Sequence, residues 1–287
     1  MRALSGFYYV ETEGCEYVCK ARGSFRNQRL TPLVGDLVGF ETTEPGCGYL
    51  SEILPRKNAL VRPPLANVDR MFIVSSLSVP APNTLLIDRQ IAACEHKGIE
   101  PVVVFNKQDE GELGDLADLY RKAGFTVVVG SAVTGEGVDA IRSLLVEGVN
   151  AFSGNSGVGK SSILNALLPG LDLQTGEVSE KLGRGKHTTR VTSLVKMGKA
   201  LVADTAGFSA FDNDRCEAVG KEDLPDTFRE FRPFFGQCRF TGCSHTCEAG
   251  CAILAAVKEG KIASSRHADY CTMYQEVKDK KEWNTKK

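Results

Sequence analysis

The sequence has no apolar run that approaches the ~20 residues needed to cross a bilayer, so we predict no membrane span. Acidic residues interrupt the N-terminal stretch where a secretory signal would be apolar, which predicts a cytoplasmic protein. The net charge is only −1, so any binding of nucleic acid must use local basic patches. No repeat or low-complexity tract occurs. With 42% hydrophobic and 25% charged residues, the 287-residue chain has the composition of a globular protein of two or three domains.

Residues 1–62 contain short alternating apolar runs separated by Gly, Pro and polar turns, a pattern that predicts a small β-barrel or sandwich. Within it, the segment KARGSFRNQR places four cations around one aromatic ring, a mixture that binds single-stranded or irregular RNA. The candidate RNA-binding residues are Lys20, Arg22, Phe25, Arg26 and Arg29. The alternative is an ordinary solvated loop on a barrel that binds no ligand.

A proline-rich boundary near residue 63 is followed by nearly unbroken apolar strands that alternate with helical segments. This alternation predicts a parallel sheet covered by helices on both faces. The strands are MFIVSSL, PVVVF, TVVVG, VNAFS and ALVAD. Beyond about residue 211 a Cys/His cluster lies between helical segments. We therefore predict a multidomain protein with a barrel at 1–62, an α/β domain at 63–211 and a mainly α domain at 212–287.

The stretch GNSGVGKSS fits G-x-x-x-x-G-K-S, the loop that holds nucleotide phosphates between a strand and a helix. Glycines allow several backbone N–H groups to converge on the phosphate oxygens, and the helix N-terminus adds partial positive charge. We expect Lys160 to contact the β- and γ-phosphates as a catalytic residue, and Ser161 to bind Mg²⁺. The predicted contacts are Gly154, Asn155, Ser156, Gly157, Val158, Gly159, Lys160, Ser161 and Ser162.

The stretch NKQD follows a predicted strand at the sheet edge where α/β proteins bind ligands. The Asp109 carboxylate can accept hydrogen bonds from guanine N1–H and from its exocyclic amino group, whereas adenine would leave it unpaired. We expect Asn106 to hold the loop and the base, and the stem of Lys107 to lie along the base plane. Ser131 and Ala132, after the next strand, are expected to present a backbone N–H to the guanine oxygen.

DTAG ends the strand ALVA and fits the Mg²⁺-side carboxylate, Asp204, and the γ-phosphate-sensing glycine, Gly207. The preceding loop, TGEVSEKLGRGKHTTR, offers Thr189, or alternatively Thr188, to complete the metal shell. Phe208 stands where Ras-type proteins carry the glutamine that orients water. His187 is the candidate replacement as a catalytic residue, with an inert loop histidine as the alternative. We expect slow hydrolysis by the free protein.

The stretch QCRFTGCSHTCEAGC supplies four thiols and one imidazole, which suit a closed, structural Zn²⁺ site. Five candidates compete for four positions: Cys238, Cys243, His245, Cys247 and Cys251. A redox role is the alternative, although no C-x-x-C motif in a thioredoxin-like context is present.

The chain resembles the ribosome small subunit-dependent GTPase A family, which consists of circularly permuted bacterial GTPases. The resemblance rests on ARGSFR, PLVGDLV, PRKNALVRPPLANVD, LLIDRQ, NKQD, GNSGVGKSS, GRGKHTTR, DTAGF and CRFTGCSHTCEAGCA. It implies an OB-type barrel, a permuted GTPase domain and a C-terminal zinc domain. By motif position, zinc would be held by Cys238, Cys243, His245 and Cys251, and His187 would be the catalytic histidine.

The resemblance further implies GTP hydrolysis stimulated by the small ribosomal subunit and its rRNA during late maturation, with GTP and GDP as ligands. The chain departs from the family where DTAG replaces D-x-P-G and where Arg190 replaces a third threonine. In the permuted order the γ-phosphate-sensing segment runs directly into the zinc domain, which links nucleotide state to that domain. The alternatives are a GTP-gated rRNA-binding module with incidental turnover and a zinc redox protein with a decayed nucleotide site. Nothing in the sequence demands more than a monomer.

Overall fold

The computed structural model describes residues 2–4, 6–23, 25, 30–61, 63–168, 192–205 and 219–279. The strands in these ranges are β1 Arg2–Leu4, β2 Phe7–Thr12, β3 Cys15–Ala21, β4 Val38–Glu44, β5 Cys47–Ile53, β6 Ala59–Leu60, β7 Leu65–Ala66, β8 Val68–Ser76, β9 Glu100–Asn106, β10 Thr126–Val129, β11 Gly148–Ser153, β12 Thr192–Met197 and β13 Ala200–Thr205. The α-helices are α1 Thr84–His96, α2 Leu116–Lys122, α3 Val138–Leu144, α4 Lys160–Leu167, α5 Ala252–Lys258 and α6 Ser264–Val277. Two short 3₁₀ helices span Pro225–Thr227 and Arg229–Phe234.

The central domain is built on parallel strands, as the sequence predicts. Strands β10, β9, β8, β11 and β13 pair in parallel in that order, with register pairs such as Val102 with Phe72 and Phe152 with Phe72. These strands are buried almost throughout, which explains their nearly continuous apolar sequence. The strand β12, which the sequence analysis did not identify, pairs antiparallel with β13 across a tight turn at Gly198.

The N-terminal strands form a strand-rich domain with its own small core of Cys19, Phe25 and Leu50. Strand β1 pairs with β2 inside this domain and with β12 of the central domain, where Arg2 lies opposite Ser193. One sheet therefore runs through both domains in the order β10-β9-β8-β11-β13-β12-β1-β2-β3-β5-β4. The domain boundary near residue 62 stays a prediction, and this sheet contains strands from both sides of it.

The C-terminal part, residues 219–279, contains helices and turns without strands. Its core is aromatic: the rings of Phe228 and Phe231 stack on each other, and both meet Tyr270 edge to face, with ring centroids 5.0–5.2 Å apart. None of the helices in the described ranges has the length and apolar character that crossing a membrane requires.

Helix α1 is shared between the central and C-terminal domains. Its side chains Ile87, Ile91 and Cys94 belong to the core of the central domain, whereas Ala92 belongs to the core of the C-terminal domain. The helix begins at an Asn83 cap, whose side-chain oxygen accepts a hydrogen bond from the Leu86 N–H at 3.2 Å. The C-terminal domain is thus packed directly on a helix of the α/β domain.

Candidate functional site

The predicted nucleotide site lies where the parallel strands end. Strands β8, β9, β10, β11 and β13 end at Ser76, Asn106, Val129, Ser153 and Thr205. Because carboxyl ends of parallel strands meet at one sheet edge, the loops that follow them are neighbours in space. The phosphate-loop and NKQD motifs, which lie far apart in the sequence, therefore come together.

The loop between β11 and α4 has a backbone that favours glycine. Gly154, Gly157 and Gly159 have φ angles of 145°, 81° and 93°. A Cβ on Gly154 would lie 2.1 Å from the Val74 carbonyl oxygen, so no side chain fits there. The strand–loop–helix context that a phosphate loop needs is present.

The Lys160 side chain lies inside this loop. Its ammonium donates hydrogen bonds to the carbonyl oxygens of Gly154 at 2.8 Å and Asn155 at 2.7 Å. Burial lowers the pKa of Lys160 to about 8. A phosphate bound in the loop would favour the charged ammonium and oppose this shift.

The remaining predicted residues of the loop contribute in different ways. Val158 is buried and packs in the domain core, so only its backbone faces the loop. Ser156 is exposed at the tip, and Ser161 and Ser162 lie half-buried in the first turn of α4. The role of Ser161 as a Mg²⁺ ligand stays a prediction.

Asn106 joins three loops of the site. Its carboxamide is buried, donates through Nδ2 to the Val158 carbonyl at 2.9 Å and accepts at Oδ1 from the Ala132 N–H at 3.0 Å. A Cβ on Gly159 would lie 2.2 Å from Asn106 Nδ2, which makes glycine necessary there too. Asn106 thus links these loops through hydrogen bonds, while its contact with a base stays a prediction.

The other NKQD residues form a turn beside the phosphate loop. Lys107 has a φ of 65°, and its ammonium donates to the Val79 carbonyl at 2.8 Å. The backbone N–H of Gln108 donates to the Gly130 carbonyl at 3.1 Å. Asp109 is exposed on this turn, so its carboxylate is accessible to a ligand.

The loop after β10 differs in detail from the prediction. The Ser131 N–H donates to the Glu136 carbonyl at 3.0 Å, and the Ala132 N–H donates to Asn106 Oδ1. Both backbone N–H groups at these positions are therefore engaged within the protein, and the contact to a guanine oxygen stays a prediction. Ser131 Oγ also accepts from the N–H groups of Val133 and Thr134, at 3.2 and 3.3 Å, which fixes the loop.

Several predicted residues fall where the structure gives no side-chain description. The backbone of Asp204 lies in β13, paired with Ser193 of β12, at the expected sheet edge. His187, Thr188, Thr189, Gly207 and Phe208 lie outside the described residues. Their roles stay predictions.

Three thiols and one imidazole converge in the C-terminal domain. The ligand atoms of Cys238, Cys243, His245 and Cys251 all lie within 4.8 Å of one another. Cys238 Sγ and Cys251 Sγ are 3.9 Å apart, and they lie 3.6 and 3.5 Å from His245 Nδ1. A tetrahedron with metal–sulfur bonds of about 2.3 Å has edges of roughly 3.8 Å, so the donor set fits Zn²⁺.

The surroundings of this cluster also favour a metal site. Burial raises the pKa of Cys243 to about 12 and also raises the pKa of Cys251, so these two thiols stay protonated unless a cation favours the thiolates. The Glu248 carboxylate accepts from the backbone N–H groups of Ser244, Thr246 and Cys247 at 2.7–3.1 Å. It thereby fixes the turn that carries His245. Cys247 is exposed and outside the cluster, which resolves the choice among five candidates.

The predicted RNA-binding segment needs one correction. Phe25 is only 5% exposed and packs in the core of the N-terminal domain, so its ring is not available to stack on a base. Lys20 lies 5.2 Å from the Phe7 ring, and Arg22 forms an ion pair with Glu41. Arg26 and Arg29 lie outside the described residues.

Two buried polar contacts of helix α1 are not predicted by the sequence motifs. Gln90 accepts a hydrogen bond from Ser153 Oγ at 2.5 Å, immediately before the phosphate loop. Asp88 forms an ion pair with Arg266 of the C-terminal domain at 2.5 Å. Both residues lie in the LLIDRQ motif. Polar residues within an otherwise apolar stretch of helix are the sequence feature that indicates such buried contacts.

Comparisons with known proteins agree with this geometry. The family model for the RsgA GTPase matches residues 53–214, and that for the RsgA N-terminal domain matches residues 1–50. A protein of Caldanaerobacter subterraneus subsp. tengcongensis named small ribosomal subunit biogenesis GTPase RsgA is 46% identical over 284 residues, covering 98% of this chain and 95% of the relative. A Geobacillus protein of the same name is 45% identical over 287 residues, with 98% and 97% covered.

Two solved structures are similar along nearly the whole chain. The crystal structure of YjeQ from Thermotoga maritima has a TM-score of 0.80 and 34% identity, with 96% of each chain covered. The crystal structure of YloQ, a circularly permuted GTPase, has a TM-score of 0.78 and 35% identity, covering 97% of this chain and 93% of the other.

Proposed function

Because this chain belongs to the RsgA GTPase family and is a GTP hydrolase, we propose that it acts in late maturation of the small ribosomal subunit, which stimulates its hydrolysis. The observation that carries the proposal is the buried Asn106 carboxamide, which joins the phosphate loop to the guanine-reading loops. The names of the relatives supply the subunit as partner. Since such a factor works where ribosomes are assembled, we assign it to the cytoplasm. We further propose that it acts as a monomer, because nothing in the sequence demands more.

Guanine recognition is assigned to the loops after β9 and β10. Asp109 accepts hydrogen bonds from guanine N1–H and the exocyclic amino group, and the Lys107 stem lies along the base. The Ala132 N–H donates to Asn106 Oδ1 in the structure. When the nucleotide binds, this N–H must either donate to the guanine oxygen as well or turn from Asn106 toward it.

The phosphates are assigned to Gly154–Ser162, with Lys160 on the β- and γ-phosphates and Gly207 sensing the γ-phosphate. Ser161, Thr189 and Asp204 would hold Mg²⁺, which neutralises charge between the β- and γ-phosphates when bound. Hydroxyl and carboxylate oxygens are the donor set that Mg²⁺ prefers, so these residues suit the ion.

The attacking water has no glutamine to orient it, because Phe208 follows Gly207. We assign this role to His187, whose imidazole can accept a hydrogen bond from the water, with the subunit holding its loop in place. The same Phe208 supports a second candidate function, a GTP-gated rRNA-binding module in which turnover is incidental.

The C-terminal cluster is assigned to one structural Zn²⁺ held by Cys238, Cys243, His245 and Cys251. The RNA-facing surface is assigned to Lys20, Arg22, Arg26 and Arg29, without Phe25. Because the chain leads from Gly207 toward the zinc domain, the nucleotide state is expected to bias how that domain is presented to the subunit.

A change of base preference tests the nucleotide assignment. In Asp109→Asn, the new amide can donate to the C2 oxygen of xanthine but not pair with the amino group of guanine. We expect the kcat/KM of subunit-stimulated GTP hydrolysis to fall at least about hundredfold, and the kcat/KM for XTP to rise by a similar factor.

The matched control for that variant is Glu112→Gln, an exposed carboxylate three residues further along the same loop. It removes the same charge and should leave the GTP-to-XTP ratio unchanged. An unchanged ratio in Asp109→Asn would mean that Asp109 does not read the base.

A further inference from the structure

A buried glutamine on α1 contacts the last residue before the phosphate loop. Gln90 is 4% exposed and Ser153 is fully buried. The Ser153 hydroxyl donates to Gln90 Oε1 at 2.5 Å. Ser153 ends β11, and the next residue, Gly154, supplies one of the carbonyls that hold the Lys160 ammonium. The Gln90 contact therefore fixes the point from which the phosphate loop departs.

Packing does not explain this pair. The neighbours of Gln90 on α1 that face the central core are the apolar Ile87, Ile91 and Cys94. An apolar side chain at position 90 opposite an alanine at 153 would fill the same space, and exchanging both partners of a buried hydrogen bond is nearly neutral for stability. A polar pair at this place must contribute something besides stability.

The space around the pair adjoins the phosphate loop. A cavity of about 10 Å³ is lined by Gln90 together with Asn83, Asn155 and Val158. Asn155 and Val158 are residues of the phosphate loop, so Gln90 contacts the residue before the loop and shares this cavity with two residues inside it. In a close-packed interior, a shift of the Gln90 side chain is passed on to these neighbours.

We propose that Gln90 is a positioning residue for nucleotide binding, acting through Ser153 to set where the phosphate loop leaves β11. This inference rests on the proposed placement of the nucleotide phosphates in that loop. Because backbone N–H groups of the loop contact the α- and β-phosphates, which GTP and GDP share, both nucleotides are affected equally.

The test compares Gln90→Leu, Ser153→Ala and the double variant in the full chain, using fluorescent GDP and a non-hydrolysable GTP analogue. We expect each of the three to bind both nucleotides about tenfold more weakly, the equivalent of one lost hydrogen bond. At saturating GTP the turnover should stay near that of the wild type, so the effect falls on KM.

Urea unfolding without nucleotide separates positioning from structure. Each single variant leaves an unpaired polar group and should unfold at lower urea, whereas the double variant should recover toward the wild type. Recovery of stability without recovery of affinity is the expected signature. If the double variant recovers both, or if any single variant binds nucleotide as the wild type does, the inference is overturned.

The control is Ile91→Val, which removes a methylene from the neighbouring buried residue of the same helix and leaves Gln90 and Ser153 in place. It should unfold at lower urea and bind nucleotide normally. Weakened binding in this control would show that any loosening of α1 has the same effect, which also overturns the inference. If the wild type itself binds neither nucleotide, the nucleotide assignment fails instead.

Discussion

Replacing Cys251 by serine should abolish the proposed zinc binding and unfold the C-terminal domain. Cys251 is 4% exposed, lies at the start of α5 and belongs to the core that contains Phe231 and Tyr270. Serine is a poor zinc ligand, so three donors remain in a site that needs four. We expect zinc affinity to fall at least about hundredfold and zinc content, after dialysis against a chelator, to fall from about one equivalent to near zero.

The matched control is Cys247→Ser, four residues earlier and exposed outside the cluster. It should keep its zinc and its folded C-terminal domain. Atomic emission measures the zinc content. Limited proteolysis shows whether the C-terminal domain, beyond residue 219, is folded. A Cys251→Ser protein that keeps a full equivalent of zinc would contradict the assigned ligand set.

Arg266→Met should destabilise the protein by about 3–5 kcal/mol, because it leaves two carboxylates buried without their partner. The Arg266 side chain is 1% exposed, lies 2.5 Å from Asp88 and contacts Glu230 at 2.8 Å. Its guanidinium carbon also lies 4.6 Å from the centre of the Phe228 ring. The Asp88–Arg266 ion pair joins the C-terminal domain to α1, so we expect the lost stability to weaken the interface between the two domains.

The loss of stability in Arg266→Met should also depend on pH. Burial already raises the pKa of Asp88 to about 7, while Arg266 acts to lower it. Without Arg266 this pKa rises further, so the ionised carboxylate destabilises the fold above its unfolded pKa of about 4. Between about pH 4 and pH 7 both proteins lose stability in parallel, so the deficit is constant there. The deficit should grow as the pH rises above about 7, where the stability of the wild type levels off while that of the variant keeps falling toward its higher Asp88 pKa.

Urea unfolding of two further variants checks this explanation. Arg232→Met breaks a half-exposed ion pair with Glu95 in the same interface, and it should cost less than about 1 kcal/mol. The triple variant Arg266→Met, Asp88→Asn, Glu230→Gln leaves no orphan charge and should regain much of the lost stability. Equal losses in Arg266→Met and Arg232→Met would refute the role given to the buried pair.

The parts of this protein that the sequence predicts well are those in which chemistry fixes local spacing. The phosphate loop needs glycines at set positions, and the structure shows why at Gly154 and Gly159. The parallel sheet follows from apolar strands that are buried on both faces. The cysteine spacing limits the metal ligands to five, and the turn fixed by Glu248 leaves Cys247 outside the cluster.

The parts that the sequence does not predict are contacts between distant segments. Phe25 looks like a stacking residue because it lies among cations, but Cys19 and Leu50 from neighbouring strands cover it. Asp88 and Arg266 look like ordinary surface charges until the C-terminal domain packs on α1. The engaged N–H groups of Ser131 and Ala132 likewise depend on Glu136 and on Asn106 of another strand.

The central claim is that the small subunit completes an active site that lacks a glutamine. The most direct test is to measure GTP turnover at fixed salt. Turnover is measured with and without purified small ribosomal subunits, for the wild type and for His187→Ala. We expect subunits to stimulate the wild type by at least about hundredfold, as partners do for GTPases with incomplete sites. His187→Ala should lose most of this stimulation and still bind GTP. Equal wild-type turnover with and without subunits would contradict the claim and favour the nucleotide-gated RNA-binding function.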